Sequence, residues 1–275
     1  MSSLESTCEI DTQDPILEKT DFLSVTELSG TEVTGEQIDR ISHRYGWAGP
    51  YCRDKDVVEV ACGTGQGLGY LQRLSRSVEA GDISPAIVEI ARSHYGDRVS
   101  IACFDATRMP FDDASRDVVI IFEAIYYLPS FEEFLDEVLR LLRPGGMLLI
   151  ATANKDLSDF NPSPYSHTYY GVVELDEVLR AKGFSSEFFG YVDVSKTSAR
   201  QRILRPIKKL AVTLGLIPKT MAGKKLLKKL VFGGLAKMPA EIDDRHLESY
   251  SPPDKLAVDA NTTHKVIYCA ATKSS

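Results

Sequence analysis

Four acidic side chains stand in or just after short apolar runs. Glu59 lies within DVVEV, Asp82 closes VEAGD, Asp105 follows IACF and Glu123 follows DVVIIF. After the first run, ACGTGQG supplies a turn through Ala61, Gly63 and Gly65, where a missing Cβ lets backbone amides approach a ligand closely. An acidic group about 20 residues beyond such a turn accepts hydrogen bonds from both hydroxyls of a ribose. Asp82 has that spacing, so the chemistry expected is nucleoside binding. The dinucleotide fingerprint GxGxxG fails in both frames, because Leu68 or Tyr70 stands where its third glycine belongs. No Gly-Lys-Ser/Thr follows, which excludes a Walker-type phosphate loop. The turn suits a ligand without a pyrophosphate.

These groups need a scaffold that ends several strands at one edge. DVVEV and DVVIIF read as buried strands, and LLRPGGMLLIATAN as a helix end, a Pro-Gly-Gly turn and a fifth strand. From Thr34, TGEQIDRISHRYGWAGPYC carries apolar residues at Ile38, Ile41, Tyr45 and Trp47 after an acidic first turn, which predicts a helix leading to the first strand. Trp47, the only tryptophan, is expected as a core anchor. Val173 to Ala181 reads as an amphipathic helix ending at Gly183, SSEFFGYVDVS as a sixth strand and HKVIYCAATK as a seventh. In open α/β sheets the ligand crevice lies at the carboxyl ends of the strands.

The ordered set EVACGTG, GDIS, FDATRMPF, FEAIYYL and LRPGG resembles the class I S-adenosylmethionine (SAM)-dependent methyltransferases, in the small-molecule, type 11-like branch, over roughly residues 55 to 190. The usual strand-turn glycine is Ala61 here, and Tyr126 and Tyr127 replace the usual histidine pair after the fourth strand. The resemblance implies a Rossmann-like, doubly wound, seven-stranded α/β sheet with an antiparallel last strand. It also implies that Glu59, Ala61, Gly63 and Gly65 hold the amino-acid end of SAM, that Asp82 and Ile83 hold its ribose, and that Asp105 and Ala106 face its adenine. Glu123 then lies at the cofactor's edge, next to the reacting centre.

Methyl transfer from a sulfonium is an in-line displacement, much of whose catalysis comes from holding the two reacting atoms together. A hydroxyl acceptor also gains from a base. The candidates are His167, on the loop after the fifth strand, and Glu123 and Tyr127 after the fourth; His167 has the best intrinsic pKa for the task. The expected acceptor is an anionic small molecule or glycan bearing a hydroxyl. An NAD(P)-dependent oxidoreductase is the first rival, opposed by the failed third glycine. A nucleic-acid methyltransferase is the second; its Asn-Pro-Pro-Tyr signature would follow the fourth strand, where this chain reads Phe122-Glu123-Ala124-Ile125.

At 43% hydrophobic and 26% charged residues the composition is globular, and the acidic N-terminus together with the lack of any long apolar run points to a cytoplasmic protein. The five cysteines form no CxxC pair and no His/Cys cluster, so thiols and no metal are expected. Against a net charge of −7, residues 196–238 hold 12 Lys or Arg and no Asp or Glu. Helical spacing at Ile203 to Leu214 and at Leu226 to Val231, with Lys224, Lys225, Lys228 and Lys229 opposite, predicts two amphipathic helices. They read as a solvated face, a lid steering an anionic substrate, or a peripheral contact of 200–238 with anionic membrane. The expected organisation is a mobile segment 1–35, a SAM-binding core 36–194, a basic helical insertion 195–263 and a closing strand 264–275.

Overall fold

Five of the expected strands run parallel and share one buried sheet. The computed structural model describes residue 23 and residues 26–163, 165–195 and 235–274. In chain order the elements are β1 (Glu32–Thr34), α1 (Gly35–Cys52), β2 (Asp56–Val60), α2 (Leu68–Leu74), β3 (Ser77–Asp82), α3 (Pro85–Tyr95), β4 (Ser100–Cys103) and β5 (Arg116–Phe122). They continue with α4 (Phe131–Leu141), β6 (Leu142–Ala153), α5 (Val172–Ala181), β7 (Phe184–Asp193), β8 (Leu235–Lys237), β9 (Asp254–Leu256) and β10 (His264–Lys273).

The main sheet has the order β4-β3-β2-β5-β6-β10-β7-β9. Strands β4 to β6 of this order pair in parallel, while β10 inserts antiparallel between β6 and β7. Alternate residues face opposite sides of a strand. Val57, Val118 and Ile120 therefore pack under α1, α2 and α3 against Ile41, Tyr45, Leu68 and Val88. Val58, Val60, Val119 and Ile121 pack on the other face with Phe134, Val138, Leu175 and Leu179 of α4 and α5. Helices on both faces explain why these strands read as unbroken apolar runs.

Helix α1 starts where expected because Thr34 and Gln37 form a capping box, the Gln37 amide donating to Thr34 Oγ1 at 3.3 Å and the Thr34 amide to Gln37 Oε1 at 3.1 Å. Trp47 is core, stacked on Tyr268 with ring centroids 4.8 Å apart. The chain winds from β2 outward to β4, then returns to build β5 and β6 on the other side of β2. The order thus reverses between β2 and β5, and that switch point is where such sheets bind ligands.

Two segments differ from expectation. Residues 26–34, expected within a mobile stretch, are placed, and β1 pairs antiparallel with β8. Residues 235–263 of the expected helical insertion form β8, β9 and a 3-10 turn at Asp244–Leu247 instead of helix. Here β9 adds an eighth strand outside β7, and Met238 and Ile242 are buried in the core. The two predicted basic helices, over 203–231, lie outside the described residues. Among the described residues no helix is long and apolar enough to cross a membrane.

Candidate functional site

The turn after β2 needs left-handed backbone at Ala61 (φ 52°), Gly63 (φ 58°) and Gly65 (φ 79°). The two glycines have different tasks. A Cβ on Gly63 would meet only Thr26 Cγ2, at 3.4 Å, so the residue presents open backbone to the cavity. A Cβ on Gly65 would lie 2.9 Å from both Leu68 and Tyr95, and its carbonyl accepts the Tyr95 hydroxyl at 2.5 Å. Gly65 therefore supports the turn from behind and does not line the cavity.

Asp82, at the end of β3, ties this turn to its own. Its Oδ2 accepts the Gly63 amide at 3.0 Å and its Oδ1 the Ser84 amide at 3.0 Å. Burial raises its carboxyl above the usual range, against the pull of backbone hydrogen bonds from Ser84, Gly63 and Ile83. Asp105 Oδ1 accepts both the amide and the hydroxyl of Thr107, at 2.8 and 2.9 Å, which fixes the turn carrying Ala106.

Glu59 is 2% exposed and accepts the Tyr45 hydroxyl on Oε1 at 2.5 Å, while its Oε2 has no hydrogen-bond partner. Burial pushes its carboxyl up to about 7, partly offset by the Tyr45 bond and by Arg44. Glu123, one residue past β5, also takes a left-handed conformation, φ 53°. Its Oε1 pairs with Arg40 Nη2 at 3.2 Å and its Oε2 accepts the Tyr126 hydroxyl at 3.2 Å. Strained backbone collects at functional sites. Ala61 and Glu123, two such non-glycine residues, flank the switch point.

A cavity of about 270 Å³ joins these ends. Glu59, Ala61, Gly63, Asp82 and Ile83 line one part, and Asp105 and Ala106 another. Glu123 and Tyr127 line the far end with Tyr126, Leu128 and Pro129. Of the residues anticipated from sequence, Gly65 and His167 do not line it. His167 sits behind the site, its amide donating to the Tyr126 carbonyl at 2.7 Å. Tyr127 shares a 2.6 Å hydrogen bond with Ser163 of the same loop.

Sequence reasoning missed Arg40, Arg44 and Tyr45, which α1 brings to the cavity, and Thr26 and Glu27, which precede β1. Arg40 and Arg44 are one helical turn apart, a spacing that puts two cations on one face. That signal was present but indistinguishable from a solvated helix face. Arg44 lies 3.9 Å from Glu27 and over the rings of Tyr45 and Phe122, at 5.7 and 5.9 Å.

Among the described residues the one cluster with metal-ligand chemistry is Asp193, Asp254 and His264, and none of the three lines the cavity. Cys52, Cys62 and Cys269 are buried thiols, as expected.

Residues 58–150 match the family model described as "Methyltransferase domain". A Mycolicibacterium smegmatis protein named a probable S-adenosylmethionine-dependent methyltransferase is 34% identical over 154 residues, covering 54% of this chain and 56% of that protein. The phthiotriol/phenolphthiotriol dimycocerosates methyltransferase of Mycobacterium leprae is 41% identical over 100 residues, 35% of this chain and 37% of that protein. The chain spans about half the length, or less, of the curated relatives it matches. Phosphoethanolamine N-methyltransferase 2 of Haemonchus contortus, solved with SAM, shares the fold with a TM-score of 0.51 at 17% identity, over 88% of this chain and 53% of that one.

Proposed function

We propose that the protein, whose residues 58–150 match the methyltransferase-domain family model, is a class I enzyme that transfers a methyl group from SAM to an oxygen of a small-molecule or glycan-type acceptor. The observation that carries this reading is the buried Glu59 oxygen without a partner, in the same cavity as Gly63 and Asp82. An unpaired buried carboxylate oxygen is costly. An ammonium group, as on the amino-acid end of SAM, relieves that cost. Gly63 offers backbone whose nearest neighbour on the Cβ side is Thr26 Cγ2, and the Asp82 carboxylate lines the same cavity, where it can accept from a ribose hydroxyl. Leu68 fills with a buried side chain the place where a dinucleotide site needs glycine, which opposes the oxidoreductase alternative.

When bound, SAM supplies an electrophilic methyl group on a sulfonium. The chain's own residues then have to hold the acceptor in line and exclude water. We assign that task to Tyr126, Tyr127, Leu128 and Pro129 at the far end of the cavity. Glu123 lines the cavity and His167 does not, which supports Glu123 as the group that takes the hydroxyl proton and His167 as a support of Tyr126. The cavity's two arginines each face a carboxylate, Arg40 with Glu123 and Arg44 with Glu27, which supports an uncharged group at the reacting end. The name of the Mycobacterium leprae relative, which specifies a triol, supports an oxygen acceptor.

Calorimetric titration with SAM, S-adenosylhomocysteine and NAD, followed by labelled methyl transfer to fractionated extracts, tests the reading. Binding of SAM and not NAD is expected, and the reverse overturns it. Location of the label on nitrogen or carbon would overturn the oxygen assignment alone.

A further inference from the structure

A strap beside the cofactor turn carries a carboxylate, Glu241, that lies outside the cavity lining. Residues 26–34 lie over the Gly63 turn. The Glu27 carbonyl accepts the Gln66 side-chain amide, Ser29 Oγ meets Thr64 Oγ1 at 3.1 Å, and Thr26 and Glu27 line the cavity. This cover is held by β8, whose Ala236 pairs with Val33, and by the Met238 amide donating to the Thr31 carbonyl at 2.9 Å. Beyond β8 the Ile242 amide donates to the Gln66 carbonyl at 2.8 Å, so the strap returns to the turn it helps to cover.

Glu241 fastens this strap. Its carboxylate lies 2.9 Å from Arg98 Nη2, 3.1 Å from His94 Nε2 and 3.8 Å from Arg73 Nη1, so it binds α2 and the end of α3 at once. The room for it is made by Gly69, where a Cβ would come within 1.7 Å of Glu241 Oε1. None of Glu241, Arg73, His94 and Arg98 lines the cavity.

We propose that Glu241 is a positioning residue for cofactor retention, clasping the strap to α2 and α3 so that β8 holds residues 26–34 over the cofactor turn. The proposal rests on the reading that this cavity binds SAM. Release of the cofactor then requires the cover to lift, and the clasp sets how often it does.

The test is SAM binding by stopped flow in the full chain, wild type against Glu241→Gln, which keeps the shape and removes the charge. A SAM off-rate about tenfold faster is expected, since tenfold corresponds to the loss of about 1.4 kcal/mol. Turnover at saturating SAM and the KM for the acceptor should stay within about twofold, a split that a general loss of packing would not give. Raising salt should speed release in the wild type and leave the variant unchanged, because screening acts on the pairs the variant lacks. Arg98→Gln, at a half-exposed position, serves as a second variant should Glu241→Gln fail to fold, and a smaller change in the same direction is expected. An unchanged off-rate in either folded variant overturns the clasp. If the wild type itself does not bind SAM, the cofactor reading fails instead, and the two failures are thereby told apart.

Discussion

Tyr45 donates its hydroxyl to one oxygen of Glu59 at 2.5 Å and leaves the other without a partner. Helix α1 and strand β2 thus meet at a carboxyl that burial pushes up to about 7. An isolated buried charge is unstable in an apolar site, so the group either holds a proton or holds a cation. The fold is satisfied by the first and the proposed ligand by the second.

Replacing Glu59 by Gln separates these two demands. The folded apo protein binds a proton at Glu59 between pH 4.5 and about 7 that the unfolded chain does not. Stability therefore falls as pH rises through that window. Glu59→Gln should remove this loss and raise Tm at pH 8, while weakening SAM roughly 10- to 100-fold, the range for a lost hydrogen bond to a charged group. Wild-type SAM affinity should rise from pH 6 to 8 with proton release, seen as buffer-dependent heats in calorimetry. A variant less stable and equally tight would contradict the assignment.

Asp82→Ala removes the acceptor of two backbone amides as well as the proposed ribose contact. SAM affinity should drop by roughly 1 to 3 kcal/mol with the fold retained. Gly63→Val should be more severe, since a β-branched residue at φ 58° is strained as well as intrusive. Titration calorimetry with circular dichroism checks both.

The proton acceptor is decided by comparing Glu123→Gln with His167→Ala at saturating substrates. Loss of a general base typically lowers turnover about 100-fold or more. Glu123→Gln should show that loss, whereas His167→Ala should lose less than about tenfold with SAM affinity intact. The opposite ranking would return the role to His167.

His43 holds α1 against the last strand, its Nδ1 meeting the Tyr268 hydroxyl at 3.0 Å and its ring stacked on Tyr191 at 3.5 Å. Burial lowers its pKa from 6.5 to about 4. The unfolded chain binds a proton there that the folded one does not, so stability is lost as pH falls from 6.5 toward 4. The loss should be on the order of 1 to 2 kcal/mol at pH 5. Urea unfolding at pH 7.5 and 5 should show it in the wild type and not in His43→Gln.

Much of this protein was legible in order and spacing. The strand carrying Glu59, the turn through Gly63, and Asp82 and Asp105 at the carboxyl ends of later runs are local features, because a strand's apolar period and a turn's need for glycine act within a few residues. The helix after Thr34 was likewise legible in the spacing of Ile38, Ile41 and Tyr45 after an acidic first turn, and the strand from His264 to Lys273 in a short apolar run. Only the tertiary structure separated Gly63, which faces the cavity, from Gly65, which packs on Tyr95, since both need the same backbone. It alone brought Arg40 to Glu123 across 83 residues of chain, put His167 behind Tyr126, and paired β1 with β8 from opposite ends of the sequence. Such meetings depend on how layers stack around a sheet whose order reverses. No period of the chain encodes which side chain another element will present to it, so strands and turns were readable singly, and the identity of each side chain's partner was not.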